Sequence, residues 1–149
     1  MSIITLASQQ SVWRGYDYYR SGKVRLFSEV EAGRFEGIIS GSAATPYRVT
    51  IDTAHPRKSN CTCPHAKGRI VCKHMVALYF AAHPEEAERY YMEVVVPEEE
   101  AEALQEELEE KIDKYVYSLK KEELQELVFR LIADMTEWQF DDFVRDFIE

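Results

Sequence analysis

Cys61, Cys63, Cys72 and His74 have the most chemistry to offer: all three cysteines of the chain lie in a fourteen-residue window, and a histidine closes it. Thiolates and imidazole are soft or borderline metal donors, and four of them are what a closed tetrahedral zinc site takes when its role is structural. The Cys61-Thr62-Cys63 spacing puts both thiols on one side of an extended strand end, because side chains two apart share a face. The eight residues between Cys63 and Cys72 include Pro64 and Gly68 and are long enough to turn the chain back. Cys72 and His74 fall where an apolar helical pattern begins, at Val71, Met75, Leu78, Tyr79 and Ala82. A helix start held by one structural zinc ion is the expectation.

A disulfide, three ordinary buried thiols and a catalytic Cys-His pair are the competing readings. The odd cysteine count and the lack of a charged-then-apolar N-terminal leader favour a reducing, cytoplasmic setting, where such clusters bind metal more often than they form disulfides. Catalysis would need an open coordination position or a separate base, and four clustered donors leave neither in view. No glycine-rich phosphate loop, carboxylate pair or serine nucleophile motif stands out, so no enzymatic activity is expected. His65, after Pro64, is a spare donor for the metal or for a phosphate, while His55 and His83 flank prolines and read as loop residues.

The Cys-x-Cys and Cys-x-His pairs resemble the signature of SWIM-type zinc fingers, and the small stand-alone prokaryotic members are the nearest analogy. Upstream, Trp13-Arg14-Gly15-Tyr16-Asp17-Tyr18-Tyr19-Arg20-Ser21-Gly22-Lys23-Val24 is similar to the lead-in of that family, so the resemblance covers about the first 82 residues. It implies zinc on Cys61, Cys63, Cys72 and His74 and a general role in binding DNA or proteins. Members of the family occur beside Swi/Snf-type ATPases, within Mutator-type transposases and as partners of recombinase paralogues. The resemblance implies no single reaction and no single partner.

Charge divides the chain. Residues 1–74 carry eleven Lys and Arg against five Asp and Glu, net +6, whereas residues 75–149 carry seven against twenty-two, net −15. Overall acidity argues against indiscriminate coating of DNA, whose binding draws on phosphate neutralisation by clustered cations. A local patch is still available: Arg48, Arg57, Lys58, Lys67, Arg69 and Lys73 meet only Asp52 among acids from position 46 to 74. These are the candidate nucleic-acid contacts, DNA being the expected partner, with an ordinary solvated loop as the plain alternative. Trp13, Tyr16, Tyr18 and Tyr19 are expected mainly in the core, with stacking on unpaired bases as the other use.

The elements that must position these residues make an α+β unit. Ser8–Ser21 reads as a helix stopped by Gly22. Two strand-like runs, Val24–Val30 and Arg34–Ser40, are joined by a glycine-containing hairpin link, and Tyr47, Val49 and Ile51 alternate with polar residues in a third. Helix, three-stranded antiparallel meander, zinc loop and helix form a zinc-finger domain over 1–82, followed by a linker over 83–97 and an acidic helical region over 98–149. That region divides into about three helices: Leu104, Leu108, Ile112, Tyr115 and Leu119 line the first and Leu124, Leu127, Val128, Leu131 and Ile132 the second. Thr136 with Gln139 forms a capping box for the third, whose stripe is Phe140, Phe143, Val144, Phe147 and Ile148. These stripes are expected to pack within the chain, with docking of a Swi/Snf-type ATPase or recombinase-like protein as the alternative. No apolar run approaches the length of a membrane span.

Overall fold

A single helical turn, α1 (Ile3–Leu6), precedes α2 (Gln9–Arg20) in the computed structural model, which describes residues 2–68 and 70–148. Ser8 caps α2: its hydroxyl accepts the Ser11 N–H at 3.2 Å, satisfying a donor that every helix start leaves free. Gly22, at φ 64°, takes the left-handed conformation that closes the helix at little cost to a residue without Cβ.

An antiparallel meander follows: β1 (Val24–Glu31), β2 (Arg34–Ile39) and β3 (Tyr47–Asp52). The alternation read from the sequence is real, since Val49 and Ile51 are buried while Arg48 between them is exposed. A fourth strand extends the expected three. This β4 is only Asn60–Cys61, and its pairing of Cys61 with Val49 ties the first thiol to the sheet. Two residues are too few to show a period of two, so no sequence pattern announced it.

The sheet and α2 are built around α3 (Lys73–Ala82). Every residue of α3 from His74 to Phe80 is buried, as for a helix apolar on nearly all sides and enclosed on all of them. Val76 meets α2 at Gly15, where an added Cβ would fall 2.5 Å from the Val76 side chain. Leu78, roughly 200° further round the helix, meets β2 at Gly37, where an added Cβ would fall 2.8 Å from its Cδ1. Two glycines thus let α3 approach a helix on one flank and the sheet on the other.

The stretch 83–97, expected as a linker, is helical. It comprises α4 (Pro84–Tyr90) and a π turn (Tyr91–Val95) that leads into α5 (Val96–Ser118). Ala87 and Val95 are buried, and the Tyr90 ring packs on Phe80 and Tyr16 with centroids 5.5 and 5.2 Å apart. The first compact unit accordingly extends to Val96 and the second begins at Pro97.

The second unit is helical throughout: α5, α6 (Lys121–Ala133) and α7 (Glu137–Phe147). The capping box at the start of α7 is present, with the Thr136 N–H donating to Gln139 Oε1 at 3.0 Å. The packing expected of its apolar stripes is slight. No described residue of this unit is buried, and Leu104, Leu108, Ile112 and Tyr115 are all about half exposed or more. No described helix is long and apolar enough to cross a membrane.

Candidate metal centre

Three separate pieces of backbone deliver the four donors. Cys61 ends β4, Cys63 stands at the head of a 3-10 turn over Pro64–Ala66, Cys72 is the residue from which α3 springs, and His74 lies in its first turn. All four side chains are buried, and their ligand atoms lie within 4.8 Å of one another. His74 Nδ1 is 3.7 Å from Cys61 Sγ and 3.9 Å from Cys72 Sγ, and the Cys63 N–H points at Cys61 Sγ from 3.4 Å. A tetrahedral zinc site with metal–donor distances of about 2.0–2.3 Å has edges of roughly 3.5–3.8 Å. The 3.7 and 3.9 Å separations already lie near such an edge, and donors up to 4.8 Å apart would close by about 1 Å on a metal. A Cys3His set that is buried, convergent and complete in four donors fits one structural zinc ion and leaves no open position for chemistry.

The three thiols do not ionise alike. Cys72 is held down to about 4, first by the hydrogen bond from the Cys61 thiol and then, against the opposing push of burial, by His74. Cys61 is driven far up by that same hydrogen bond and by burial, and Cys63 is raised by burial and by the charge on Cys72. Without metal the trio therefore holds one thiolate. Loading zinc must expel the protons of Cys61 and Cys63, because only thiolates ligate.

His74 is held by two rings. Tyr47 lies 4.5 Å away between centroids and Tyr18 5.3 Å, which fixes the imidazole with Nδ1 toward the thiols. Its Nε2 is buried and meets no hydrogen-bond partner among the described residues. His65 is exposed and stands outside the donor cluster.

The structure disperses the basic candidates. Arg48 sits on the outer face of β3, next to Ile38 of β2 and away from the inward-facing Val49 that pairs with Cys61. Arg57 and Lys58 are exposed on a 3-10 turn (Pro56–Lys58), and Lys67 is exposed in the zinc loop. Arg69 lies outside the described residues. Lys73 is half-buried at the start of α3 with its Nζ 4.2 Å from the centre of the Tyr18 ring, on which Lys23 also stands at 4.4 Å. Asp52 is engaged by His55, whose backbone N–H donates to it at 2.6 Å. Of the aromatics, Tyr16, Tyr18 and Tyr19 are core residues packed against Phe80, Tyr90 or His74, whereas Trp13 is 55% exposed.

Sequence reasoning passed over Arg14 as a site residue. It borders a cleft of about 460 Å³ beside the metal cluster, together with Gln10, Ser42, His65, Lys73 and His74. The signal was its neighbour: Gly15 is the contact glycine that docks α2 on α3, so the residue before it is carried to the start of α3.

Residues 47–83 match the family model described as SWIM zinc finger. The match contains all four donors and the whole of α3 and ends at His83, while the lead-in at Trp13–Val24 lies outside it. No curated protein and no solved structure is significantly similar to the chain.

Proposed function

Because the chain carries a SWIM zinc finger, we propose that it is a non-enzymatic accessory protein whose zinc is structural and whose basic half binds nucleic acid, DNA in the first instance, within a DNA-transaction complex. One observation carries this reading. Arg48, Arg57, Lys58, Lys67 and Lys73 surround the finger, and none of them makes an ion pair among the described residues. Cations not already matched by carboxylates keep their capacity to displace counterions from a phosphate chain, the main source of sequence-independent affinity. The zinc, with three thiolates and a neutral imidazole, adds no positive charge of its own, so it contributes shape and rigidity.

Binding of labelled single- and double-stranded DNA across a salt series tests this. Zinc-loaded protein is expected to bind with an affinity that falls as salt rises. Reversing Arg57, Lys58 and Lys67 together to Glu is expected to weaken binding at least about tenfold at low salt, since each lost phosphate contact also lowers the salt slope by roughly 0.7–0.9. Unchanged affinity in that variant would place the contact elsewhere.

A second reading has its own support. The apolar stripes of α5 to α7 are largely exposed, with Leu104, Leu131, Phe147 and Ile148 each 55–76% accessible, and exposed apolar surface bounded by charge is what a protein partner covers. In this reading the finger is a zinc-stabilised adaptor, and the acidic helices dock a Swi/Snf-type ATPase or recombinase-like protein. Binding of such a partner that survives charge reversal in the finger but is lost on deleting residues 97–149 would favour it.

A further inference from the structure

We propose that the cleft where α3 begins seats one phosphate of a bound nucleic-acid strand, with the attached sugar and base in the remaining volume; this rests on the nucleic-acid reading and names its contact point. The cleft is bordered by Arg14 and Lys73, by no carboxylate, and neither cation has an ion-pair partner among the described residues. Against their two positive charges stands the net single negative charge of a zinc ion with three thiolates, so the local balance favours an anion.

The second observation is His74. It borders the cleft, is 4% exposed, and directs Nδ1 at the thiols, so its proton belongs on Nε2. That N–H has no acceptor among the described residues. Ligating histidines almost always donate the other N–H to an oxygen; because Nε2 is covered, a ligand oxygen would fill that role only with a small shift of the residues packed over it. Gly41 packs closely over this edge of the ring, since a Cβ there would lie 2.4 Å from the Tyr47 ring and 3.3 Å from Nε2. The positive end of the ten-residue α3 also lies here, part of it already turned to the Cys72 thiolate through the Met75 N–H.

Size and lining decide what accompanies the phosphate. About 460 Å³ is the volume of a small-ligand site rather than of a lone anion. Gln10 and Ser42 offer hydrogen bonds, and Pro64 and Tyr47 offer apolar surface to a sugar or base. Nothing in this set encodes one base, so the cleft would position the strand without reading its sequence.

The test uses the full-length, zinc-loaded chain and measures binding of a 3′-labelled single-stranded oligonucleotide, with and without a 5′-phosphate, to wild type, R14A, K73A and the double variant, with zinc content determined on each. The double variant is expected to bind at least about tenfold more weakly, with a salt slope lower by roughly 0.7, the loss of one single-strand phosphate contact. Arg14 is exposed on α2, so R14A tests the cleft even if K73A lowers the zinc content. Tighter binding of the 5′-phosphorylated strand would identify a terminal phosphate as the occupant, and equal binding an internal phosphodiester. Wild-type binding that the zinc-replete double variant retains within twofold would overturn the cleft while leaving the nucleic-acid reading in place. A wild type that binds neither strand would overturn both.

Discussion

At the residue scale, metal and protons compete for the same four atoms. Cys61 and Cys63 are held protonated in the metal-free cluster and Cys72 ionised, so zinc loading near neutral pH releases close to two protons. Raised thiol pKa values mean that acid opposes ligation and base assists it. Zinc affinity is therefore expected to rise by up to about a hundredfold per pH unit between pH 6 and 8, measured by competition with a chromophoric chelator. An affinity independent of pH would show that the thiols are not the ligands. Cys61→Ser, which removes the thiol that ties the cluster to β4, is expected to abolish stoichiometric zinc in a metal analysis of purified protein. The four donors were legible in the sequence because thiols and imidazoles at such short spacings have few other joint uses. Arg14, Gln10 and Ser42 were not, because they reach the cleft from segments distant in sequence, the first two carried by the docking of α2 on α3 and Ser42 by the connection between β2 and β3.

At the element scale, α3 is the part on which the others depend. Its N-terminus carries two donors, one flank receives α2 at Gly15, and the other receives the sheet at Gly37. Helix propensity alone predicts that Gly15→Ala stabilises α2 by up to about 1 kcal/mol. The structure predicts the opposite sign. A methyl group would lie 2.5 Å from Val76 and 2.9 Å from the Lys73 carbonyl, and overpacking of that kind costs roughly 1–3 kcal/mol. Urea unfolding of the zinc-loaded variant decides between them, and a higher midpoint would refute the close approach. The helix α2 and the strands β2 and β3 were readable from period and capping residues, because each has one face buried, and the start of α3 from its apolar run. The helical character of 83–97 was not. Glu85, Glu86 and Glu88 give that stretch the composition of a solvated connector, while Ala87, Tyr90 and Val95 bury the narrow strip that holds it to the first unit. A fragment ending at Ala82 is expected to melt well below one ending at Val96, since it uncovers Phe80. Equal melting temperatures would show that α4 and the π turn contribute nothing.

At the scale of the whole molecule, charge and exposed surface assign different tasks to the two units. The first holds the metal and unpaired cations, and the second holds most of the acid and an exposed apolar surface with no described residue buried. A helical unit with so little interior gains little from its own packing. A fragment of residues 97–149 is accordingly expected to unfold with low cooperativity in thermal melts followed by circular dichroism, and a sharp transition would contradict this. The most direct test of the proposal that zinc organises a nucleic-acid-binding surface is one titration of labelled DNA with the same purified sample, before and after zinc is stripped by chelation, with zinc quantified at each stage. The account predicts one zinc per chain, salt-sensitive binding in the loaded form, and loss of that binding on stripping with recovery on adding zinc back. Absence of stoichiometric zinc, or DNA binding that is indifferent to its removal, would contradict it.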